Sequence, residues 1–299
     1  MKVLSLFDGM SCGQIALNRI GIKPDTYYAS ELDKHAIKVT QANYPSTVQL
    51  GDVTKWRDWD IDWAGIDLLI GGSPCQGFSF AGKQLAFKDP RSALFFEYVN
   101  ILNHIRKHNP DVKFLLENVR MKKEFLDVIS GQLGVEPVCI NSSRLSAQNR
   151  VRYYWANWEF GQPEDKAVVL ADIIESGVVD RDKSFCIDAN YFKGGNIKSY
   201  FEKNRRQLVF IIQTPRGFNK GGSKALDGKT PSLTANSWHH NNHLTDGDKY
   251  RKLTPVECER LQTVPDNYTA HVSNTQRYRM LGNGWTVDVI AHIFKGAGL

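Results

Sequence analysis

Apolar positions fall in short unbroken runs, each closed by glycine, proline or an acidic residue. Runs at 3–7, 26–30, 47–50, 66–70 and 111–116 read as buried strands. Between them, 14–20, 33–41 and 92–107 repeat their apolar positions at helical spacing; Leu94, Phe95, Tyr98, Val99, Leu102 and Ile105 make the stripe of the last. A helix at 124–130 and an antiparallel strand pair at 135–141 and 151–157 follow. Alternating strands and helices predict an open α/β sheet. From 159 to about 250 the pattern changes. Glycine, asparagine and lysine accumulate, and strands shorten to runs such as 208–213, as expected of a small irregular lobe inserted into the first. The chain then returns to helices. Thr254, Pro255 and Glu257 form a capping box, and 275–281, 282–285 and 287–294 read as helix, turn and helix. The predicted division is 1–158 plus 251–299, with 159–250 inserted.

The strand ends carry the polar chemistry. Asp8 opens a glycine turn running to Gly13, Glu31 ends the second strand and Asp52 follows the third. An acidic residue about 20 positions after a glycine turn suits ribose hydroxyls, although each of the three could also be a cap or turn residue. The turn has G-x-x-x-G spacing and lacks the G-x-G-x-x-G of dinucleotide folds. After the fourth strand, Gly71-Gly72-Ser73-Pro74-Cys75-Gln76-Gly77-Phe78-Ser79 puts a thiol on a tight turn. It is either a small buried cysteine or a nucleophile needing activating neighbours. The next strand delivers Glu117, so a thiol and a carboxyl share one sheet edge. Alternation puts Arg150 and Arg152 on one face, suited to a carbonyl oxygen, a carboxylate or a phosphate, or to a surface ion-pair ladder. Residues 79–89 are long enough for an active-site loop. Trp56, Trp59 and Trp63 repeat at near-helical spacing and read as packing. Trp238 to His243 lacks the spacing of a metal cluster.

Composition narrows the class. With 299 residues, 41% of them hydrophobic, the chain can bury a sizeable core. Five scattered cysteines without C-x-x-C spacing argue against a disulfide framework or zinc and for a reducing, cytoplasmic setting. No signal peptide or membrane span is read from the sequence. The net charge of +6 is concentrated in 181–230, which holds eleven basic and four acidic residues, as a polyanion-binding surface or a solvated segment would.

Taken in order, Leu6-Phe7-Asp8-Gly9, Gly72-Ser73-Pro74-Cys75-Gln76, Glu117-Asn118-Val119, Gln148-Asn149-Arg150-Val151-Arg152, Leu253-Thr254-Pro255-x-Glu257-x-x-Arg260-Leu261-Gln262 and Gly282-Asn283-Gly284 resemble the DNA (cytosine-5) methyltransferase family over nearly the whole chain. The length and the 75–117 stretch look like bacterial or phage members. The stretch Val3 to Gly9 and Gly284-Trp285 look like the mammalian de novo branch.

The resemblance implies a Rossmann-like class I S-adenosylmethionine-dependent methyltransferase sheet with a target-recognition lobe. S-adenosyl-L-methionine would be the donor and S-adenosyl-L-homocysteine the product, with no metal. It implies that Phe7 packs on adenine and that Asp8, Gly9 and Gly13 hold the methionine part. Glu31 takes the ribose, Leu32, Asp52, Val53, Ser73 and Pro74 complete the pocket, and Asn283 and Trp285 close it. Cys75 would attack C6 of a flipped cytosine, Glu117 would meet N3 and the exocyclic amine, and Arg152 the carbonyl oxygen, with Arg150 in support. Gln76, Ser79, Lys83, Lys203, Arg205, Arg206 and Arg216 are the expected contacts to double-stranded DNA. A monomer and a cognate restriction endonuclease as partner are further expectations. Trp285 departs from the valine of many members, and Ala81 stands where some have a polar side chain. The rival readings are the tRNA-modifying branch, a non-catalytic DNA-binding member and a nicotinamide-dependent oxidoreductase. The Gly71–Pro74 motif, the intact Cys75 and Glu117, and the missing G-x-G-x-x-G count against them in turn.

Overall fold

A computed structural model describes residues 1–74, 93–177, 179–195, 197–210 and 250–299. The chain runs β1 (Lys2–Leu6), α1 (Cys12–Arg19), β2 (Thr26–Ser30), α2 (Lys34–Asn43), β3 (Val48–Gln49), β4 (Ile66–Gly71), α3 (Ala93–His108), β5 (Lys113–Val119), α4 (Lys123–Leu133), β6 (Val138–Asn141) and β7 (Val151–Ala156). The later elements are α5 (Leu170–Ile173), α6 (Ile197–Lys203), β8 (Leu208–Phe210), β9 (Tyr250–Lys252), α7 (Pro255–Leu261), α8 (Asn274–Asn283) and α9 (Val287–Lys295).

Seven strands form one sheet in the order β3-β2-β1-β4-β5-β7-β6. The first five pair in parallel, while β7 runs antiparallel to β5 and to β6. The α/β expectation holds, and so does the antiparallel pair. Alternation along the strands feeds two cores. Val3, Leu68, Ile70, Leu115 and Tyr154 pack with Ile15, Leu17, Ile290 and Ile293 of α1 and α9. Leu4, Leu6, Leu69, Phe114, Leu116 and Trp155 face Phe95, Tyr98, Leu102 and Ile129 of α3 and α4. The helix covers on both faces let the strands read as continuous apolar runs.

From β1 the chain crosses to β2 on one side, and it later returns to β4 on the other. The β1/β4 boundary is therefore the topological switch point, where crevices open outside the carboxyl ends of strands. The three tryptophans do not share one helix: Trp56 lies in a short 3-10 turn, Trp59 follows its end in extended backbone and Trp63 opens a second turn. Trp59 stacks on Trp63 at 6.4 Å, and Trp56 meets Trp63 edge-on at 5.6 Å, so they pack as expected. Leu170, Ile173, Ile187 and Tyr191 share the core of α1 and α9. Lys183 pins this stretch by donating to the carbonyls of Ser143 (2.7 Å) and Val168 (2.6 Å). Beyond it, β8 and β9 pair separately, over a small cluster of Tyr200 and Leu208. Among the described residues no helix is long and apolar enough to cross a membrane.

Candidate active site

A cavity of about 330 Å³ opens at the switch point. It is lined from the tips of β1, β2, β4 and β5, from Arg150 and Arg152, and from the 280–285 segment.

At its β1–β2 end the backbone is bent sharply. Phe7, Gly9 and Ser11 all have φ near +60°, a region that a bulky side chain such as Phe7 enters only under constraint. The bend turns Asp8 inward, where its carboxylate accepts from the Tyr27 hydroxyl at 2.8 Å and from the Ser11 hydroxyl. Burial pushes the Asp8 carboxyl up to about 6 against those donors, and the nearby Glu31 adds to the rise. Glu31 accepts from the amides of Gly9, Leu32 and Asp33, each at 2.8 Å. It thus ties the two strand tips together.

At the other end Glu117 and Arg152 lie on one face of adjacent antiparallel strands. Glu117 is opposite Tyr154 and Arg152 opposite Val119, so the two are diagonal neighbours. Arg152 Nε stands 3.0 Å from Glu117 Oε1, with both side chains mostly buried. Trp285 Nε1 donates to Glu117 Oε2 at 3.2 Å. Asn118 joins the β5 tip to the β4 tip by donating to Ser73 Oγ at 3.1 Å. Arg150 takes another direction. Its guanidinium is buried and donates to the carbonyls of Ile187 (3.2 Å), Gly282 (3.2 Å) and Gly284 (2.8 Å). It holds the turn that carries Trp285.

Of the sequence candidates, Phe7, Asp8, Gly9, Glu31, Ser73, Pro74, Glu117, Arg150, Arg152, Asn283 and Trp285 line the cavity. Gly13, Leu32, Asp52 and Val53 do not. A Cβ on Gly13 would come within 2.4 Å of Ile70 Cδ1 and 2.7 Å of the Tyr27 hydroxyl, so this glycine seats α1 on the sheet. Leu32 points outward, 69% exposed. Asp52 caps the turn after it, accepting from the Thr54 amide at 2.9 Å, and Val53 is buried in the α3-side core. Met10 and Cys12, within the Asp8–Gly13 turn expected at the methionine part, also line the cavity, as do Asp33 and Asn118, which the sequence does not single out as contacts. For Asp33 and Asn118 the available signal is their place beside Glu31 and Glu117 at the ends of β2 and β5.

Cys75, Gln76, Ser79, Lys83 and Arg216 lie outside the described residues, as do Ala81, the 79–89 stretch and Trp238 to His243. Cys75 follows Pro74, a cavity residue. Among the described residues Cys12 lines the cavity, and burial pushes its thiol up to about 12, which leaves it a poor nucleophile. Lys203 is exposed. Arg205 pairs with Asp188 at 3.0 Å, and Arg206 donates to the Gly194 carbonyl at 2.8 Å. Among the described residues no group of three acidic, histidine or cysteine side chains could hold a metal.

The family model for C-5 cytosine-specific DNA methylase matches residues 1–127 and 144–298. The chain is 30% identical to type II methyltransferase M.NlaX of Neisseria lactamica over 98% of its own length and 94% of that protein's. It is 31% identical to type II methyltransferase M1.ScrFI of Lactococcus lactis subsp. cremoris over 97% and 76%. A solved DNMT2 mutant of Spodoptera frugiperda superposes with a TM-score of 0.63 at 20% identity, covering 98% of both chains. The chain belongs to the C-5 cytosine-specific DNA methylase family.

Proposed function

We propose that this enzyme moves a methyl group to C5 of cytosine in duplex DNA through a covalent adduct between Cys75 and C6 of a flipped-out base. The observation that carries the reading is a single cavity with two chemically different ends. The β1–β2 end fits S-adenosylmethionine. Glu31 keeps lone pairs free for ribose hydroxyls, the Phe7 ring offers a face for adenine, and Asp8 offers a carboxylate to the cationic methionine part. Gly284 keeps that end open, since a Cβ there would meet Met10 Cε at 2.9 Å. When bound, S-adenosylmethionine supplies an electrophilic methyl group on a sulfonium.

The protein's task is to make C5 nucleophilic. Cys75, next to Pro74 at the cavity, adds as thiolate to C6, and the electron pair moves onto the ring. Glu117 delivers a proton to N3 and accepts from the exocyclic amine, and so stabilises the charge that gathers there. Arg152 fixes Glu117 through Nε, and its guanidinium, whose Nη1 donates to the Val151 carbonyl at 2.8 Å, is the group proposed to meet the base carbonyl oxygen. After transfer, loss of the C5 proton expels the thiolate and restores the ring. The target carbon lies inside a base stack, so the base must leave the duplex to reach this cavity. Residues 159–250 are proposed as the lobe that selects the site, with the exposed Lys203 on phosphate.

Base-resolution methylcytosine sequencing of DNA from cells expressing wild type or Cys75→Ala tests this directly. Methylation of one short DNA word by the wild type alone is expected. An unmodified genome in both would overturn DNA as the substrate of this chain.

A further inference from the structure

We infer that Trp285 is a positioning residue: its indole N–H is a second clamp that, with Arg152, fixes the plane of the Glu117 carboxylate against the base. The inference rests on the reading that Glu117 is the group that meets cytosine. Each oxygen has its own donor, Arg152 Nε at 3.0 Å on Oε1 and Trp285 Nε1 at 3.2 Å on Oε2. The last torsion of a glutamate is soft and broad, so one partner leaves the carboxylate plane free to turn. Two donors arriving from different elements remove that freedom.

The surroundings are built for this contact. A Cβ on Gly72 would come 3.0 Å from the indole nitrogen and 3.1 Å from Glu117 Oε2, so any larger residue would crowd the bond itself. The turn behind the indole is pinned from two sides. Gln262 Nε2 donates to the carbonyls of Leu281 (2.7 Å) and Gly284 (3.2 Å), and Arg150 Nη2 to that of Gly284 (2.8 Å). The Cys12 thiol reaches the carbonyl of Trp285 at 3.8 Å. Arg150 and Arg152 thus serve one carboxylate by two routes, Arg152 by touching it and Arg150 by holding the turn that supplies the other donor. The clamp does not block the base, because a carboxyl oxygen has two lone pairs and accepts more than one hydrogen bond. Oε2 can keep the indole N–H and still take the cytosine amine.

The test is a double-mutant cycle read by single-turnover transfer of a labelled methyl group. Trp285→Phe keeps an aromatic wall but removes the donor. It should lower the transfer rate about tenfold, the scale of one lost hydrogen bond, with affinity for S-adenosylmethionine unchanged within about twofold. In a Glu117→Asp background the carboxylate is drawn back beyond reach of the indole, and the same replacement should change the rate by less than about twofold. An equal loss in both backgrounds would overturn the inference and leave Trp285 as a wall of the cavity. Benzothienylalanine at position 285 keeps the bicyclic volume and lacks the N–H. It should reproduce the Phe loss, and a wild-type rate would overturn the inference even if Phe unsettles the turn. Glu117→Asp alone retaining full turnover would instead sink the reading of Glu117, a separable failure.

Discussion

The two ends of the cavity are held together in different ways. At the cofactor end the carboxylates are satisfied close to home. Ser11 serves Asp8 from three positions away, and the amides of Leu32 and Asp33 serve Glu31 from one and two. The longer ties, Tyr27 to Asp8 and Gly9 to Glu31, stay within the first strand–helix–strand unit. At the base end two ties cross about half of the chain, 168 positions from Trp285 to Glu117 and 134 from Arg150 to Gly284. The carboxylates of the cofactor end are therefore set by one supersecondary unit, with the α8–α9 turn at its rim, whereas the base end exists only when β5, β7 and that turn have all docked. Damage confined to the Glu117–Arg152 pair should stop transfer and spare cofactor binding.

Arg152→Ala is the strongest way to break that contrast. It strips the charge partner from a buried carboxylate that must face the ring. Single-turnover methyl transfer should fall by about a hundredfold or more, the scale of losing one preorganised charge-stabilising group. Calorimetric affinity for S-adenosylmethionine should stay within about threefold of wild type. A parallel fall in cofactor affinity would mean that the two ends are one cooperative unit.

Arg150→Ala sharpens the comparison, because the turn that Arg150 holds borders both ends. The substitution removes the guanidinium's bonds to the carbonyls of Ile187, Gly282 and Gly284, and leaves Gly284 with the longer bond from Gln262. About 2–4 kcal/mol of stability should be lost, visible as a lower melting temperature, with cofactor affinity and transfer both reduced. Arg150→Lys keeps the charge but cannot fork to three carbonyls, and it should recover only part. A melting temperature equal to wild type would mean that the turn does not depend on the guanidinium.

The same division explains what could be read in advance. The parallel sheet, the Thr254–Glu257 capping box and the acidic strand tips at Asp8 and Glu31 are written in neighbouring residues, where turn and cap chemistry acts over three or four positions. Glycine position alone misleads. Gly13 belongs to the same turn as Gly9, but it packs on Tyr27 and Ile70, because it already lies inside α1, on the side that meets the sheet, whereas Gly9 lies in the bend before it. Asp52 ends a strand like its two counterparts, yet β3 lies at the sheet edge, two strands from β1, and its carboxylate caps a turn instead. Glu117 and Arg152 were expected from the family pattern. Their diagonal register and the Trp285 bond could not be, since neither is visible before the sheet and the last two helices are assembled.

The smallest expected effect lies at the cofactor end and concerns a proton. Burial lifts the Asp8 carboxyl from an ordinary 3.8 to about 6. Folding therefore takes up a proton on this group between those values, and the stability it contributes is present below about pH 4 and lost as pH rises through 6. Asp8→Asn should accordingly stabilise the unliganded protein at pH 7.5 relative to wild type and do little at pH 4, as denaturant melts would show. Glu31 stands beside Asp8, and the Tyr27 hydroxyl donates to it, so the cost of ionisation is local to this tip. A cationic methionine part would reverse the preference by favouring the carboxylate. Binding should then release a proton near pH 6, and wild-type affinity for S-adenosylmethionine should rise by up to about tenfold from pH 5 to 7. Calorimetry in two buffers of different ionisation enthalpy reads that proton directly. Asp8→Asn should bind with no proton release at pH 6, and release that persists in the variant would move the titrating group, and with it the cationic end of the cofactor, away from the β1 tip.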